Sequence, residues 1–387
     1  MCVGSARDDA AGMTATSTPH ASTPSSAASQ TDVDEPEVDE EALKAFLGQI
    51  VSDLGASLHV LTVVIGDKLG LFRALADAGP STSVELAEAT GTAERYVREW
   101  LRGQAAGGYV RYDAASDRYW MTPEQACVLG QEDSPAFAAG AFWMTPAVAR
   151  SQAALLEAFR TGDGFGWDQH DPDMFVGTDR FFRPGYVANL ITTWLPALDG
   201  VVDRLAAGGT VADLGCGFGS STVLMAQAFP AAEVVGFDYH PASIAAATAK
   251  ASQLGLSNCR FEVAGATDFP GTGYELITVF DALHDMGDPV GASVHIRHAL
   301  ASDGTWMIVE PAAEDSVEAN LNPVGRVYYN ASTMVCVPNS LSQEVGAALG
   351  AQAGPAAIED VVRRAGFGCF AEVARTPFNI VFEARLS

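Results

Sequence analysis

The residues best suited to proton chemistry follow one apolar run. Phe280-Asp281-Ala282-Leu283-His284-Asp285 continues the strand-like stretch 276–280 and sets a histidine among carboxylates. Histidine gains and loses a proton near neutral pH, so His284 is the candidate general base. A further carboxylate, Glu310, closes the run Trp306-Met307-Ile308-Val309. The other chemical feature is a turn. Val211-Ala212-Asp213-Leu214-Gly215-Cys216-Gly217-Phe218-Gly219 reads as a short strand and an alternating-glycine bend, with a helix from Ser220. Without a Cβ the bend lets a ligand approach the backbone, and the helix start aims free N–H groups at it.

The spacing narrows the choice of ligand. Asp238 lies 19 residues after Gly219 and ends the next strand, where a carboxylate accepts both ribose hydroxyls. A dinucleotide site would want the same pair, but its fingerprint is GxGxxG, and Ser220 does not fit it. The acidic Asp213 before the glycines suits a cationic amino group and a sulfonium better than a pyrophosphate. S-adenosylmethionine is therefore the expected cofactor. Its candidate residues are Asp213, Gly215, Cys216, Gly217, Gly219, Asp238, Tyr239, Asp268, Phe269 and Asp281. Asp268 would take the adenine amine, and Phe269 would pack on the ring. Methyl transfer is an in-line displacement in which alignment does most of the work. A hydroxyl acceptor also needs its proton removed, which is the role expected of His284, with Asp285 as a hydrogen-bonding partner. Nitrogen or sulfur acceptors need less help and stay open.

Elements that would position these groups alternate along the second half. Strands are expected at 211–214, 233–237, 260–263, 276–280 and 305–309, with helices at 220–229, 241–254, 290–300 and 356–365. This order implies a doubly wound parallel α/β sheet. Two last strands, 370–374 and 379–384, flank Thr376-Pro377 as a hairpin that places one strand antiparallel. Between Ala312 and Gly354 lies a connection long enough to be functional. It carries Asn322, Arg326, Tyr328, Tyr329 and Met334, and part of it is expected to cover the substrate. For Arg326 an internal salt bridge is the favoured role.

The first half reads differently. Residues 1–40 are rich in Ser, Thr, Ala and acids, the composition of a disordered acidic tail, and Met13 is a second candidate start. Three apolar helices are expected through 43–54, 58–65 and 69–75, with surplus apolar surface that suggests a homodimer. A winged-helix pattern follows. Ser83 would cap a helix to Thr90, a second helix at 93–106 would bury Tyr96, Val97, Trp100 and Leu101, and two strands would surround 113–117. DNA binding by Arg95, Arg98 and Arg102 is disfavoured because Glu94 and Glu99 share their helix. Residues 131–195 are an aromatic connector in which Phe142, Trp143, Met144, Trp167, His170 and Phe182 are substrate-pocket candidates, with Tyr329 from the later insertion.

Bulk properties set the class. A formal charge of −26 opposes nonspecific binding to nucleic acid and anionic lipid. No transmembrane run or secretory signal is read, the six cysteines lack metal or disulfide spacing, and the expected location is the cytoplasm, with no metal.

Asp213-Leu214-Gly215-Cys216-Gly217-Phe218-Gly219, Gly236-Phe237-Asp238 and the closing hairpin resemble the class I S-adenosylmethionine-dependent methyltransferases. Residues 91–100, His284-Asp285-Met286-Gly287-Asp288-Pro289 and Leu321-Asn322-Pro323-Val324-Gly325-Arg326 resemble one bacterial group of these enzymes with an N-terminal winged helix. Phe218 stands where that group commonly has histidine. His284-Asp285-Met286 is also similar to the His-Asp-Trp segment of caffeate-type O-methyltransferases, with Met286 in place of Trp. There the histidine is the base, and a glutamate matching Glu310 orients it. The resemblance implies a doubly wound, Rossmann-like methyltransferase sheet with a C-terminal antiparallel hairpin, preceded by an α-helical winged-helix domain. The expected division is a tail at 1–40, a winged-helix and dimerisation domain at 41–130, a connector at 131–197 and a SAM-binding domain at 198–387. The expected function is methyl transfer to a small-molecule acceptor, most readily at oxygen. The competing readings are a SAM-sensing transcriptional regulator and a methyltransferase fold doing other chemistry with bound SAM.

Overall fold

The computed structural model describes residues 37–387, so the expected acidic tail lies, up to residue 36, outside the described residues. Chain contacts separate a unit ending at Ser52 from a second unit, Asp53–Ser387, which holds all the candidate chemistry.

The three expected N-terminal helices are two. Helix α1 runs Glu40–Lys68 without interruption, and α2 covers Leu71–Ala78. Gly48 and Gly55 lie inside α1; an interior glycine costs a helix only about 1 kcal/mol and does not end it. The break comes at Gly70, whose φ of 69° is left-handed. Leu43, Phe46, Leu47, Ile50 and Val51 are exposed. By length and composition alone α1 could cross a membrane, which corrects the reading that no such helix exists. In the second unit Val63 and Val64 are buried, and Val63 joins Phe72, Leu75, Trp100 and Leu101 in a helical core.

Helices α3 (Ser83–Thr90) and α4 (Glu94–Ala106) and the ribbon β1 (Arg111–Asp113) with β2 (Arg118–Trp120) form the expected winged-helix arrangement. The cap of α3 is Thr82 rather than Ser83. Its hydroxyl accepts the Glu85 N–H while the Glu85 carboxylate accepts the Thr82 N–H, a reciprocal pair that satisfies two orphan donors. Tyr96 is 81% exposed, not buried, because it falls at the edge of the α4 face that buries Val97, Trp100 and Leu101. Arg95 pairs with Glu99 at 2.6 Å and Arg98 with Glu94 at 2.7 Å.

The second half is a seven-stranded sheet of order β5-β4-β3-β6-β7-β9-β8. Its strands are β3 Thr210–Leu214, β4 Glu233–Asp238, β5 Cys259–Val263, β6 Tyr274–Phe280, β7 Leu300–Pro311, β8 Cys369–Arg375 and β9 Asn379–Arg385. Strands β3 to β7 pair in parallel, and β9 runs antiparallel to both β7 and β8. The central strands are apolar on both faces, as a sheet covered on two sides requires: Val211, Leu276, Met307 and Val381 feed one core, and Ala212, Ile277, Ile308 and Phe382 the other. The chain order reverses between β3 and β6, and the crevice beyond their C-terminal ends is where such sheets bind ligands.

Candidate active site

The glycine turn follows β3, and its glycines take left-handed backbone angles, with φ of 68° at Gly215, 51° at Gly217 and 72° at Gly219. A Cβ on Gly219 would sit 2.6 Å from the Phe261 ring, whereas one on Gly217 would meet nothing within 4 Å. The turn is thus closed behind and open in front. Beneath it Asp213 is fully buried, and its carboxylate accepts hydroxyls from Ser221 at 2.7 Å, Thr222 at 2.6 Å and Thr278 at 2.8 Å. The expectation that Asp213 meets the ligand is therefore corrected: its charge is spent on fastening the turn to the helix Ser220–Ala228 and to β6. Burial raises the proton affinity of Asp213, and the three hydroxyls act against it.

Asp238 ends β4 directly across the turn. One carboxylate oxygen accepts the Gly217 N–H at 2.9 Å, and the other accepts the His240 N–H at 2.8 Å. A carboxylate has about four acceptor positions, so both oxygens retain capacity for hydroxyl donors. Cys216 is buried beside it, with its thiol pushed well above the usual range by burial and by Asp213 and Asp238. Tyr239 is 46% exposed next to Asp238. Asp268 is exposed and accepts the Gly265 N–H at 2.9 Å. Phe269 is a second correction. It is 1% exposed, packed on Phe237, Tyr274 and His295, and belongs to the core rather than to a ring-stacking surface.

The segment after β6 packs directly against the turn: a Cβ on Gly215 would lie 3.1 Å from that of Ala282. Asp281 adopts a positive φ of 51° and redirects the chain after β6 into a short 3-10 turn, Leu283–Asp285. Its carboxylate accepts from Tyr186 Oη at 3.0 Å and Asn379 Nδ2 at 2.7 Å. Glu310, near the end of β7, accepts the Leu283 N–H at 3.0 Å with one oxygen and holds His284 Nδ1 at 2.6 Å with the other. The one carboxylate therefore fixes both the backbone and the ring. His284 and Glu310 are each 3% exposed. Burial disfavours the imidazolium, but Glu310 and the Cys336 sulfur outweigh it and hold the proton affinity of His284 well above that of a free histidine. Burial also pushes Asp281 well up, and it raises Asp285 to about 7.

The long insertion clamps this segment. It carries the helix Pro323–Ala331, a π-helical turn Ser332–Cys336 and the short helix Val337–Leu341. Asn339 Nδ2 donates to the Asp285 carbonyl at 3.2 Å, Ser340 Oγ to that of Met286 at 2.8 Å, and the Gly350 N–H to that of His284 at 3.1 Å. Cys336 places Sγ 3.3 Å from His284 Nε2. Tyr328 is buried with its hydroxyl on the Phe378 carbonyl, and Tyr329 beside it is half-buried. Arg326 pairs with Asp53 at 2.8 Å, an internal salt bridge.

The connector candidates divide. Trp167 donates its backbone N–H to Asn339 Oδ1 at 3.0 Å and is thereby tied, through Asn339, to Asp285. Phe182 stacks on Tyr186, the partner of Asp281. Trp143 and Phe142 do not join them. Trp143 donates to Asp67 at 2.7 Å and lies beneath Lys68 and Arg180, while Phe142 packs on the helical core. Met144 accepts the Thr178 hydroxyl at 3.5 Å within a separate apolar cluster with Trp167 and Phe165. His170 is buried against Phe165 and Ser151, and burial lowers its pKa to about 4, which leaves a neutral ring. Sequence reasoning missed Cys336, Asn339 and Asn379 as parts of the site. Their partners lie 52, 54 and 98 residues away along the chain, so no local spacing marks them.

Comparison with known proteins agrees with this architecture. Residues 205–353 match the methyltransferase-domain family, and residues 56–131 match the Rv2258c-like winged helix-turn-helix domain. Trans-aconitate 2-methyltransferase of Escherichia coli is 35% identical over 102 residues, which is 26% of this chain and 38% of that protein. The corresponding Deinococcus radiodurans protein is 34% identical over 111 residues, 29% of this chain and 41% of the relative, so the match spans less than half the length of either. The structure is similar to that of mitomycin 7-O-methyltransferase MmcR, with a TM-score of 0.63 and 20% identity over 89% of this chain and 99% of that one. It is similar also to human N-acetylserotonin methyltransferase in complex with SAM, with a TM-score of 0.65 and 16% identity over 91% and 99%. Residues 56–131 are thus similar to an Rv2258c-like winged helix-turn-helix domain and residues 205–353 to a methyltransferase domain, in a chain whose sheet has the Rossmann-like methyltransferase fold.

Proposed function

We propose that this protein is a SAM-dependent methyltransferase acting on a small hydroxyl-bearing acceptor, with His284 as general base and Glu310 as the group that orients it. The observation that carries the reading is the contact between two sites of different use. An open glycine turn with Asp238 beside it abuts a buried histidine held by a carboxylate at 2.6 Å. The residues present fit the cofactor: Gly217 leaves the space a Cβ would fill, Asp238 keeps acceptor capacity for ribose hydroxyls, and the acidic surroundings suit a sulfonium. Bound there, SAM would supply an activated methyl group. The chain's own residues do the rest. Glu310 fixes the tautomer and plane of His284, and His284 Nε2 takes the acceptor's proton. The division of the chain at residues 130 and 197, and its dimeric, cytoplasmic existence, belong to the same proposal.

Charge sharpens the acceptor class. Asp238, Asp281, Asp285 and Glu310 converge here, and among the described residues none of them is ion-paired with a lysine or arginine. A tricarboxylate such as trans-aconitate would meet an acidic cluster whose histidine, His284, is already held by Glu310. A neutral phenol, of which N-acetylserotonin is an example, needs no counter-ion and suits the aromatic side chains Phe182, Tyr186 and Tyr328 gathered near Asp281. The test is incubation with methyl-labelled SAM and a metabolite extract, followed by mass spectrometry. Label in a neutral hydroxyl compound supports the reading, whereas SAM binding with no labelled product favours a SAM-sensing regulator.

A further inference from the structure

Cys336 stands in an arrangement that methyl transfer does not require. The π-helical turn Ser332–Cys336 carries one residue more than an α-turn, a device found often at functional positions. It delivers Sγ to 3.3 Å from His284 Nε2, while Glu310 holds Nδ1 at 2.6 Å on the other side of the ring. Nucleophile, base and orienting carboxylate thus stand in a line, the constellation that activates a thiol. His284 and Glu310 are buried, whereas Cys336 is partly exposed.

The other cysteines among the described residues lack such a partner. Cys216 is buried beside two carboxylates, Cys259 is pushed up to about 11 by burial, and Cys127 faces Gln131. Cys369 is exposed and serves as an internal standard for an unassisted thiol.

We propose that Cys336 is a reactive thiol and a covalent modification site, activated by His284 and Glu310, that takes low-molecular-weight disulfides and soft carbon electrophiles. With a disulfide the step is an exchange. The Sγ proton moves to His284 Nε2, and the thiolate attacks one sulfur of the disulfide. The S–S bond breaks as the mixed disulfide forms, and the departing thiolate collects the proton from Nε2. No further oxidant is needed. The substituent then covers the ring face from which an acceptor would lose its proton. That blocking effect rests on the methyltransferase reading; the reactivity does not.

The test is timed alkylation of the full chain with iodoacetamide, read by peptide mass spectrometry. Cys336 is expected to label at least about tenfold faster than Cys369 at pH 6. Between pH 8 and pH 6 the Cys336 rate should fall much less than the Cys369 rate, a comparison that needs no variant. Glu310→Gln and His284→Ala should slow Cys336 about tenfold without altering Cys369. Equal rates for the two cysteines, or parallel pH profiles, overturn the proposal. Treatment with glutathione disulfide should abolish labelled-methyl transfer, and dithiothreitol should restore it; full transfer by the adduct overturns the blocking effect. A calorimetric SAM titration on the same preparation reports separately on the cofactor reading.

Discussion

The cofactor half and the acceptor half of the site are built by opposite means. Around the glycine turn most polar groups are satisfied within one strand–helix–strand unit: Asp213 binds Ser221 and Thr222, Asp238 binds Gly217 and His240, and Thr278 of β6 is the distant partner of Asp213. Around His284 every important contact joins distant segments. Glu310 comes from β7, Cys336 and Asn339 from the insertion, Asn379 from the hairpin and Tyr186 from the connector. The first half depends mainly on one strand–helix–strand unit, with Thr278 as its tie to β6. The second exists only when the whole domain is assembled, and that is where specificity can change without disturbing cofactor binding.

Variants that separate the halves test this contrast, and His284→Ala carries the largest expected effect. Loss of a positioned base costs about 100- to 10,000-fold in turnover. SAM affinity, measured by calorimetry, should stay within about twofold, because no atom of the glycine turn depends on the ring. A parallel loss of affinity would merge the two halves. Asp238→Ala does the reverse. Removing the charged acceptor should weaken SAM binding about 100-fold, near 2.7 kcal/mol, with turnover recovering at saturating cofactor.

Glu310→Gln has a smaller and more diagnostic effect. In the native protein Glu310 raises the proton affinity of His284, so the neutral base accumulates only as pH rises above the ordinary histidine range. The pH–rate profile should climb on the alkaline side, and the glutamine variant should shift that limb to lower pH while slowing turnover about tenfold. An unmoved limb would detach Glu310 from the base. The same shift makes a stability statement. A histidine whose folded pKa is raised contributes fully below about pH 6.5 and loses that contribution as pH rises through the folded value.

Asp285→Asn should give the smallest change. Burial raises its carboxyl to about 7, so folding favours the protonated form. Its contribution is complete below about pH 4 and is lost as pH climbs to about 7. The asparagine variant should match the native melting temperature at pH 4 and exceed it by a few degrees at pH 8. Equal curves at both pH values would remove Asp285 from the buried acidic group.

The contrast also explains what was legible in the chain itself. The strands of the sheet, the hairpin and the glycine turn carry short apolar-run or turn signals in the local sequence, and each stands where the sequence put it to within five residues. His284 and Glu310 were found as types at strand ends. Asp213 was misread as a ligand group because spacing cannot tell a carboxylate that points at the cofactor from one that ties the turn together. Phe269 was misread for the same reason, since a strand-end aromatic serves a core as readily as a ring. α1 hid its unity because apolar clusters recur along it and its glycines resemble breaks. Cys336 was invisible, because its meaning comes from a π-turn that lies 52 residues beyond its partner.

The central claim is that the glycine turn with Asp238 binds SAM independently of His284. Calorimetric titration of SAM into the native protein, Asp238→Ala and His284→Ala tests it most directly. The account predicts saturable binding to the native protein, about 100-fold weaker binding to Asp238→Ala, and near-native binding to His284→Ala. No binding to the native protein, or equal binding to Asp238→Ala, would contradict it.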